Sequence, residues 1–196
     1  MIMFRYWKKV DAGDFGVYST KVLEYFQKVY LPKKVIDKWS NPFWNPVPLN
    51  DVEMYFPELI SSTSHFGQIK EVSTLSLTAD SSTLHIDHTI GKNAGVMARL
   101  NIPILNCEGS YTAFFDMSPE EFNKHQETPG GTKYWPNEMR NTLKPTTSVE
   151  LIQPTILRTS SPHTVFCKTN KFPRISLTIS FKDDIIRFLD EQKNYV

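Results

Sequence analysis

The strongest constraint on the fold is the stretch 174–181, in which polar and apolar side chains alternate without a break. Successive side chains of a β-strand point to opposite faces, so this alternation predicts a strand with one polar and one apolar face. The polar face begins with Arg174 and Ser176, and the apolar face begins with Ile175 and Leu177. The strand therefore presents an arginine and a serine hydroxyl to the same side.

A second strand-like segment, 82–89, carries a His-x-Asp pair. It is rich in β-branched and apolar residues without helical periodicity, so His85 and Asp87 share one face and Ile86 packs on the other. His88 has the parity of Ile86, which favours His85 over His88 as a metal ligand. The pair His85 and Asp87 is therefore a candidate for joint binding of a metal.

A second histidine completes a set of metal donors. His163 follows Asp87 by 76 residues. Two imidazoles and one carboxylate typically bind ferrous iron on one face and leave the other face open for substrate and oxygen. A His-x-Asp pair alone is more often a solvated loop or a satisfied polar pair. The order of the three residues along the chain is what favours a metal site over chance.

Arg174 lies eleven residues after His163, at the start of the alternating strand. A guanidinium pairs bidentately with a carboxylate, so Arg174 suits the far carboxylate of a 2-oxo acid, and Ser176 can add a hydrogen bond. Iron ligands followed by such an arginine indicate an oxygenase that depends on iron and 2-oxoglutarate.

Four segments carry a resemblance to a known group of enzymes: 84–87, 98–104, 161–165 and 173–177. In their order they resemble the iron(II)/2-oxoglutarate-dependent dioxygenase superfamily. Within it they are most similar to the branch with the aspartyl/asparaginyl β-hydroxylases and the proline hydroxylases. The resemblance covers roughly residues 70–181.

This resemblance implies a mainly β chain with a double-stranded β-helix (jelly-roll) fold, flanked by N-terminal and C-terminal helices. It implies that His85, Asp87 and His163 hold Fe(II) and that Arg174 binds 2-oxoglutarate. Asn101 stands where these hydroxylases often carry a histidine, and we expect it, like Ser176, to contribute to cofactor binding. The substrate is expected to be a small molecule, a free amino acid or a peptidyl side chain, with dioxygen as co-substrate.

The chain of 196 residues is expected to form a single domain. Residues 1–64 are predicted to be a helical and extended N-terminal support, and 65–181 the jelly-roll core. An insertion, 116–150, interrupts this core, and 182–196 are predicted to form a C-terminal helix.

The insertion is a candidate lid, because long loops in compact domains are often functional. Tyr134, Trp135 and Arg140 are its candidate substrate contacts. A plain surface excursion is the alternative.

Composition excludes some function classes. The net charge is +1, which argues against binding to nucleic acid or a membrane surface through bulk charge. Cys107 and Cys167 form no CxxC pair, which fits a reducing compartment, although one disulfide stays possible. The first nine residues lack the order of a secretory signal. We therefore expect a cytoplasmic enzyme; its oligomeric state is not indicated.

Two other functions stay open at this point. One is a metal enzyme of the cupin type that uses no 2-oxoglutarate, against which Arg174 argues. The other is a jelly-roll binding module without catalysis, against which the complete ligand set argues.

Overall fold

The alternating stretch forms the strand Arg174–Phe181, which lies inside a six-stranded sheet. The structure is a computed structural model, and it describes residues 6–30, 43–77, 79–87, 95–129, 131–169 and 171–190. These residues form two antiparallel six-stranded sheets and six α-helices. The chain is thus mainly β, as predicted.

The sheet with the longer strands, here called the major sheet, consists of β1 (Trp7–Lys9), β2 (Phe43–Val47), β3 (Ile69–Leu77), β5 (Arg99–Leu105), β10 (Thr155–Leu157) and β12 (Arg174–Phe181). Their order across the sheet is β1-β10-β5-β12-β3-β2.

The second sheet, here called the minor sheet, consists of β4 (His85–Ile86), β6 (Ser110–Phe114), β7 (Gln126–Glu127), β8 (Lys133–Tyr134), β9 (Thr147–Glu150) and β11 (His163–Cys167). Their order across the sheet is β7-β8-β4-β11-β6-β9. Side chains from both sheets line one shared cavity, so the two sheets enclose the site described below.

The outer face of the major sheet packs against three helices from the N-terminal stretch. They are α1 (Phe15–Tyr25), α2 (Leu49–Tyr55) and α3 (Glu58–Thr63). Asp14 begins the first helix, because its side chain accepts a hydrogen bond from the Gly16 N–H at 3.1 Å. The apolar positions of the alternating strand join this core, with Val22, Phe56, Leu59, Leu100, Leu177 and Ile179 all fully buried.

The insertion covers the outer face of the minor sheet. Its helices are α4 (Pro119–Phe122) and α5 (Asn137–Thr142). Helix α4 begins with a capping box: Ser118 accepts from the Glu121 N–H at 3.2 Å, and the Ser118 N–H donates to the Glu121 carboxylate at 2.8 Å. The fully buried Trp135 packs here in one cluster with Ile86, whose side chain points away from the face of His85.

Some predicted boundaries differ from the structure. The N-terminal stretch supplies strands β1 and β2 to the major sheet as well as helices. Of the predicted strand 82–89 the structure describes 82–87, and within that part the regular strand is His85–Ile86. The predicted insertion 116–150 includes strand β9 of the minor sheet, which begins at Thr147. In the C-terminal segment, the described residues form the short helix α6 (Arg187–Asp190), with Ile185 and Leu189 buried.

Two other predictions fall partly outside the described residues. His88 and the last six residues, 191–196, belong to this group. Within the described ranges, no helix is both long and apolar enough to cross a membrane.

Candidate metal centre

The structure brings together His85, Asp87 and His163. Strands β4 and β11 are adjacent, and His85 lies directly opposite His163 in their register, so both imidazoles project from the same face. The two ring centroids are 4.3 Å apart. Asp87 follows strand β4, with Oδ1 at 3.5 Å from Nε2 of His85. One donor atom from each residue lies within 4.8 Å of the other two.

Both imidazoles have one nitrogen fixed by the backbone. Nδ1 of His85 bonds to the carbonyl oxygen of Thr83 at 2.7 Å, and Nδ1 of His163 bonds to that of Ser161 at 2.8 Å. A carbonyl only accepts, so Nδ1 carries the proton in each ring. In the neutral tautomer the lone pair is then on Nε2, the nitrogen available to a metal, which is the usual arrangement of ligating histidines.

The charge states also suit metal binding. Burial alone would raise the pKa of Asp87, but its bond to His85 and the charges of His163, His85 and Arg99 outweigh burial and lower it. Burial and the neighbouring His85 lower the pKa of His163 to about 4. Burial lowers the pKa of His85 as well, but Asp87 more than offsets it, so this pKa is raised. At neutral pH the site therefore combines a carboxylate with a neutral His163.

Arg99 lies beside this cluster and is only 1% exposed. Its Nε is 3.4 Å from Oδ2 of Asp87, and its Nη1 is 3.6 Å from Oε2 of Glu71. Its guanidinium also lies over the ring of Trp44, 4.7 Å from the centroid. Both carboxylate partners of Arg99 are partly exposed, whereas Arg99 itself is almost fully buried.

Arg174 is also buried, at 3% exposure, but its partners are different. Its Nε donates to the Ser110 hydroxyl at 3.1 Å, and its Nη1 donates to the Ser176 hydroxyl at 3.0 Å. No carboxylate of the described residues forms an ion pair with it. A buried cation without an anion is strongly unfavourable, so this guanidinium is poised to bind a negatively charged group.

A single cavity of about 170 Å³ connects the His-Asp-His cluster to Arg174. Its lining comes from both sheets: Trp44, Leu75, Ser76, Leu77, Ser82, His85, Asp87, Asn101, Thr112, Leu157, Thr159, His163, Val165, Arg174 and Thr178. Asn101 thus faces the cavity, and its amide donates to the Arg99 carbonyl at 3.3 Å. Ser176 does not line the cavity; its hydroxyl orients Arg174 instead.

The predicted substrate contacts in the insertion do not line this cavity. Trp135 is fully buried in the outer cluster, and its Nε1 donates to the carbonyls of Glu121 and Phe122 at 3.1 and 3.2 Å. Its predicted role in substrate recognition is wrong. Arg140 donates to Ser81 Oγ at 2.6 Å and so braces the segment before strand β4. Tyr134 lies opposite His85 in the sheet register and shares its face.

The sequence analysis missed several residues of the site. Ser110 and Thr112 reach the interior because they share the face of Phe114 on strand β6, which lies beside His163. The alternation in 110–114 is short, but its parity could have identified them. Trp44 also lines the cavity, where its ring lies under the guanidinium of Arg99.

Comparisons with known proteins bear on the fold. No protein-family model and no curated protein matches the sequence. Among solved structures, the chain is similar to the epimerase SnoN in complex with Fe3+, alpha ketoglutarate and nogalamycin RO. The TM-score is 0.54 at 12% identity, over 98% of this chain and 87% of SnoN. The chain therefore has the double-stranded β-helix fold.

A second structure gives the same result. It is described as the non-heme alpha ketoglutarate dependent epimerase SnoN from nogalamycin biosynthesis, and it aligns with a TM-score of 0.52 at 12% identity. That alignment covers 98% of this chain and 84% of that one. The predicted jelly roll is confirmed. At this identity the likeness concerns the fold alone, and the hydroxylase branch stays a prediction.

Proposed function

We propose that this chain is an iron(II)- and 2-oxoglutarate-dependent oxygenase. The observation that carries the proposal is the position of Arg174. This buried cation has no carboxylate partner among the described residues, and it faces the cavity that His85, Asp87 and His163 also line. A metal site joined to an unpaired guanidinium suits a ligand with one end on the metal and a carboxylate at the other.

The donor set fits ferrous iron. Two imidazole nitrogens and one carboxylate oxygen converge within 4.8 Å, and the backbone carbonyls fix both rings with Nε2 free. His85, Asp87 and His163 would hold the metal. When bound, iron and 2-oxoglutarate supply the activation of dioxygen; the protein supplies positioning and exclusion of water.

The other residues of the cavity take complementary roles in the proposal. Arg174 binds the far carboxylate of 2-oxoglutarate, while Ser110 and Ser176 hold the guanidinium in place by accepting its hydrogen bonds. Asn101, facing the same cavity, contacts the cofactor. Leu75 and Leu77 exclude water from the hydrocarbon part of the ligand, which strengthens the ion pair with Arg174.

We propose hydroxylation of a small molecule, a free amino acid or a peptidyl side chain as the reaction. The support for hydroxylation is the resemblance of the sequence motifs to the hydroxylase branch. The similarity to SnoN does not add to this support, because SnoN is an epimerase. A cytoplasmic location belongs to the same proposal. It is supported by Cys107 and Cys167, which are both free and buried.

An anaerobic titration with Fe(II) and then 2-oxoglutarate tests the proposal. We expect a visible charge-transfer band on addition of 2-oxoglutarate, and a weaker band at equal ligand concentration in Arg174→Ala. Arg187→Ala, which removes an exposed arginine on helix α6, is the matched control and should behave like the wild type.

Other outcomes favour the alternatives. Iron binding without any 2-oxoglutarate band would favour a cupin-type metal enzyme. No iron binding at all would favour a non-catalytic binding module.

A further inference from the structure

We propose that Arg99 is a positioning residue that orients Asp87 for metal binding, an inference that rests on the proposed function of the site. The two oxygens of Asp87 have different neighbours. Oδ1 lies 3.5 Å from Nε2 of His85, and Oδ2 lies 3.4 Å from Nε of Arg99. The contact of Arg99 with Oδ2 is an ion pair without a hydrogen bond, so its charge attracts Oδ2 and leaves Oδ1 facing His85.

Arg99 can do this because it is itself fixed at several points. Its strand, β5, is separated from β3 by β12, and its side chain crosses the inner face of the sheet to reach Glu71 on β3. Its guanidinium also lies over the ring of Trp44 on the edge strand β2. Two carboxylates and one aromatic face therefore contact a single guanidinium.

The residue type matters for this role. A guanidinium is a planar fork with five N–H donors, so it can contact two carboxylates at once in a fixed plane. A lysine ammonium is a compact point charge on a flexible stem, and it would hold one carboxylate at a time. Ligand-orienting partners of this kind typically change metal affinity about tenfold to a hundredfold when removed.

The effect of positioning can be separated from the effect of charge. As a mere positive charge near the site, Arg99 would repel Fe(II), and its removal would tighten iron binding. As a positioning residue it favours the ligating geometry of Asp87, and its removal weakens iron binding. The two roles therefore predict opposite signs for the change in iron affinity.

The experiment compares Fe(II) affinity in the wild type, Arg99→Gln and Arg99→Lys under anaerobic conditions. We expect the dissociation constant for Fe(II) to rise about tenfold to a hundredfold in Arg99→Gln. We expect Arg99→Lys to recover only part of this loss. At saturating iron, the affinity for 2-oxoglutarate should stay within about twofold, because Arg174 is unchanged.

Unfolding of the metal-free variants and their circular dichroism spectra show whether each is folded. If Arg99→Gln does not fold, Glu71→Gln replaces it, since it loosens the far side of Arg99 without touching Asp87. Glu71→Gln should weaken iron binding less than Arg99→Gln.

Several results would overturn the inference: unchanged or tighter iron binding in folded Arg99→Gln, full recovery in Arg99→Lys, or unchanged binding in Glu71→Gln when it stands in. Failure of the wild type to bind iron would contradict the proposed function itself.

Discussion

Two arginines on the inner face of the major sheet have opposite surroundings. Arg99 forms ion pairs with two carboxylates, Asp87 and Glu71, whereas the hydrogen-bond partners of Arg174 among the described residues are the hydroxyls of Ser110 and Ser176. Both are almost fully buried, and their strands β5 and β12 are neighbours. The same residue type is therefore compensated in one region and left without an anion in the other.

The difference shows how a buried charge can serve either structure or binding. A guanidinium paired with carboxylates is compensated within the fold, and removing it takes a buried counter-charge away from those carboxylates. A guanidinium held only by hydroxyls has its orientation fixed but its charge uncompensated. We infer that the region of Arg99 maintains the geometry of the metal site and that the region of Arg174 binds an anionic ligand.

The largest expected effect comes from removing a residue that both regions depend on. His163→Ala deletes one of three donors, so it should abolish stoichiometric Fe(II) binding and, with it, the consumption of 2-oxoglutarate. Anaerobic iron titration and succinate formation measure the two losses. Retention of either at the wild-type level would show that His163 is not a ligand.

The second-largest effect is on stability and is expected from replacing Arg99. Arg99→Met leaves Asp87 and Glu71 without their shared partner, so it should lower the free energy of unfolding of the metal-free protein by about 3–5 kcal/mol. Urea denaturation measures this change. A loss below about 1 kcal/mol, the value typical of exposed ion pairs, would mean that the paired region is not compensated as described.

The third-largest effect is expected when Arg174, like Arg99 above, is replaced with methionine. Arg174→Met removes an uncompensated cation, so the free energy of unfolding of the ligand-free protein should change by only about 1 kcal/mol. Its 2-oxoglutarate affinity should fall by about 1.5–3 kcal/mol, the contribution of a charged hydrogen bond. Urea denaturation and 2-oxoglutarate titration of the iron-loaded protein measure the pair of changes. Equal destabilisation by Arg99→Met and Arg174→Met would remove the contrast between the regions.

The smallest effect concerns the orientation of Arg174. Ser110→Ala removes one of its two hydroxyl acceptors, which should cost about 0.5–1.5 kcal/mol in 2-oxoglutarate affinity. Iron affinity should not change, because the side-chain hydrogen bonds of Ser110 among the described residues join it to Arg174 and Cys167 and not to a metal ligand. An equal loss of iron affinity would point to a general disturbance of the interior.

The sequence predicts those parts of the site that depend on strand parity. His85, Asp87, Arg174 and Asn101 all face the cavity as their alternation implies. Trp135 was misjudged because a tryptophan between a tyrosine and a proline in a loop gives no strand parity, and only the tertiary structure shows that it packs behind the minor sheet.

Contacts between residues that are far apart in the sequence are also not predicted by residue patterns within single strands. Nothing local connects Arg99 to Glu71, which lies two strands away in the sheet, or Ser110 to Arg174. Their pairing depends on strand order, which the alternation of a single strand does not specify. The position of Arg174 after His163 marks it as a carboxylate-binding candidate, but the compensation of Arg99 by acidic partners becomes visible only when the sheet is assembled.

The most direct test of the account pairs a change in the ligand with a change in Arg174. The iron-loaded wild type and Arg174→Met are titrated anaerobically with 2-oxoglutarate and with 2-oxopentanoate, which lacks the far carboxylate. We predict that the wild type prefers 2-oxoglutarate by roughly tenfold to a hundredfold and that Arg174→Met loses this preference. An undiminished preference in Arg174→Met would contradict the claim that the uncompensated arginine binds the far carboxylate.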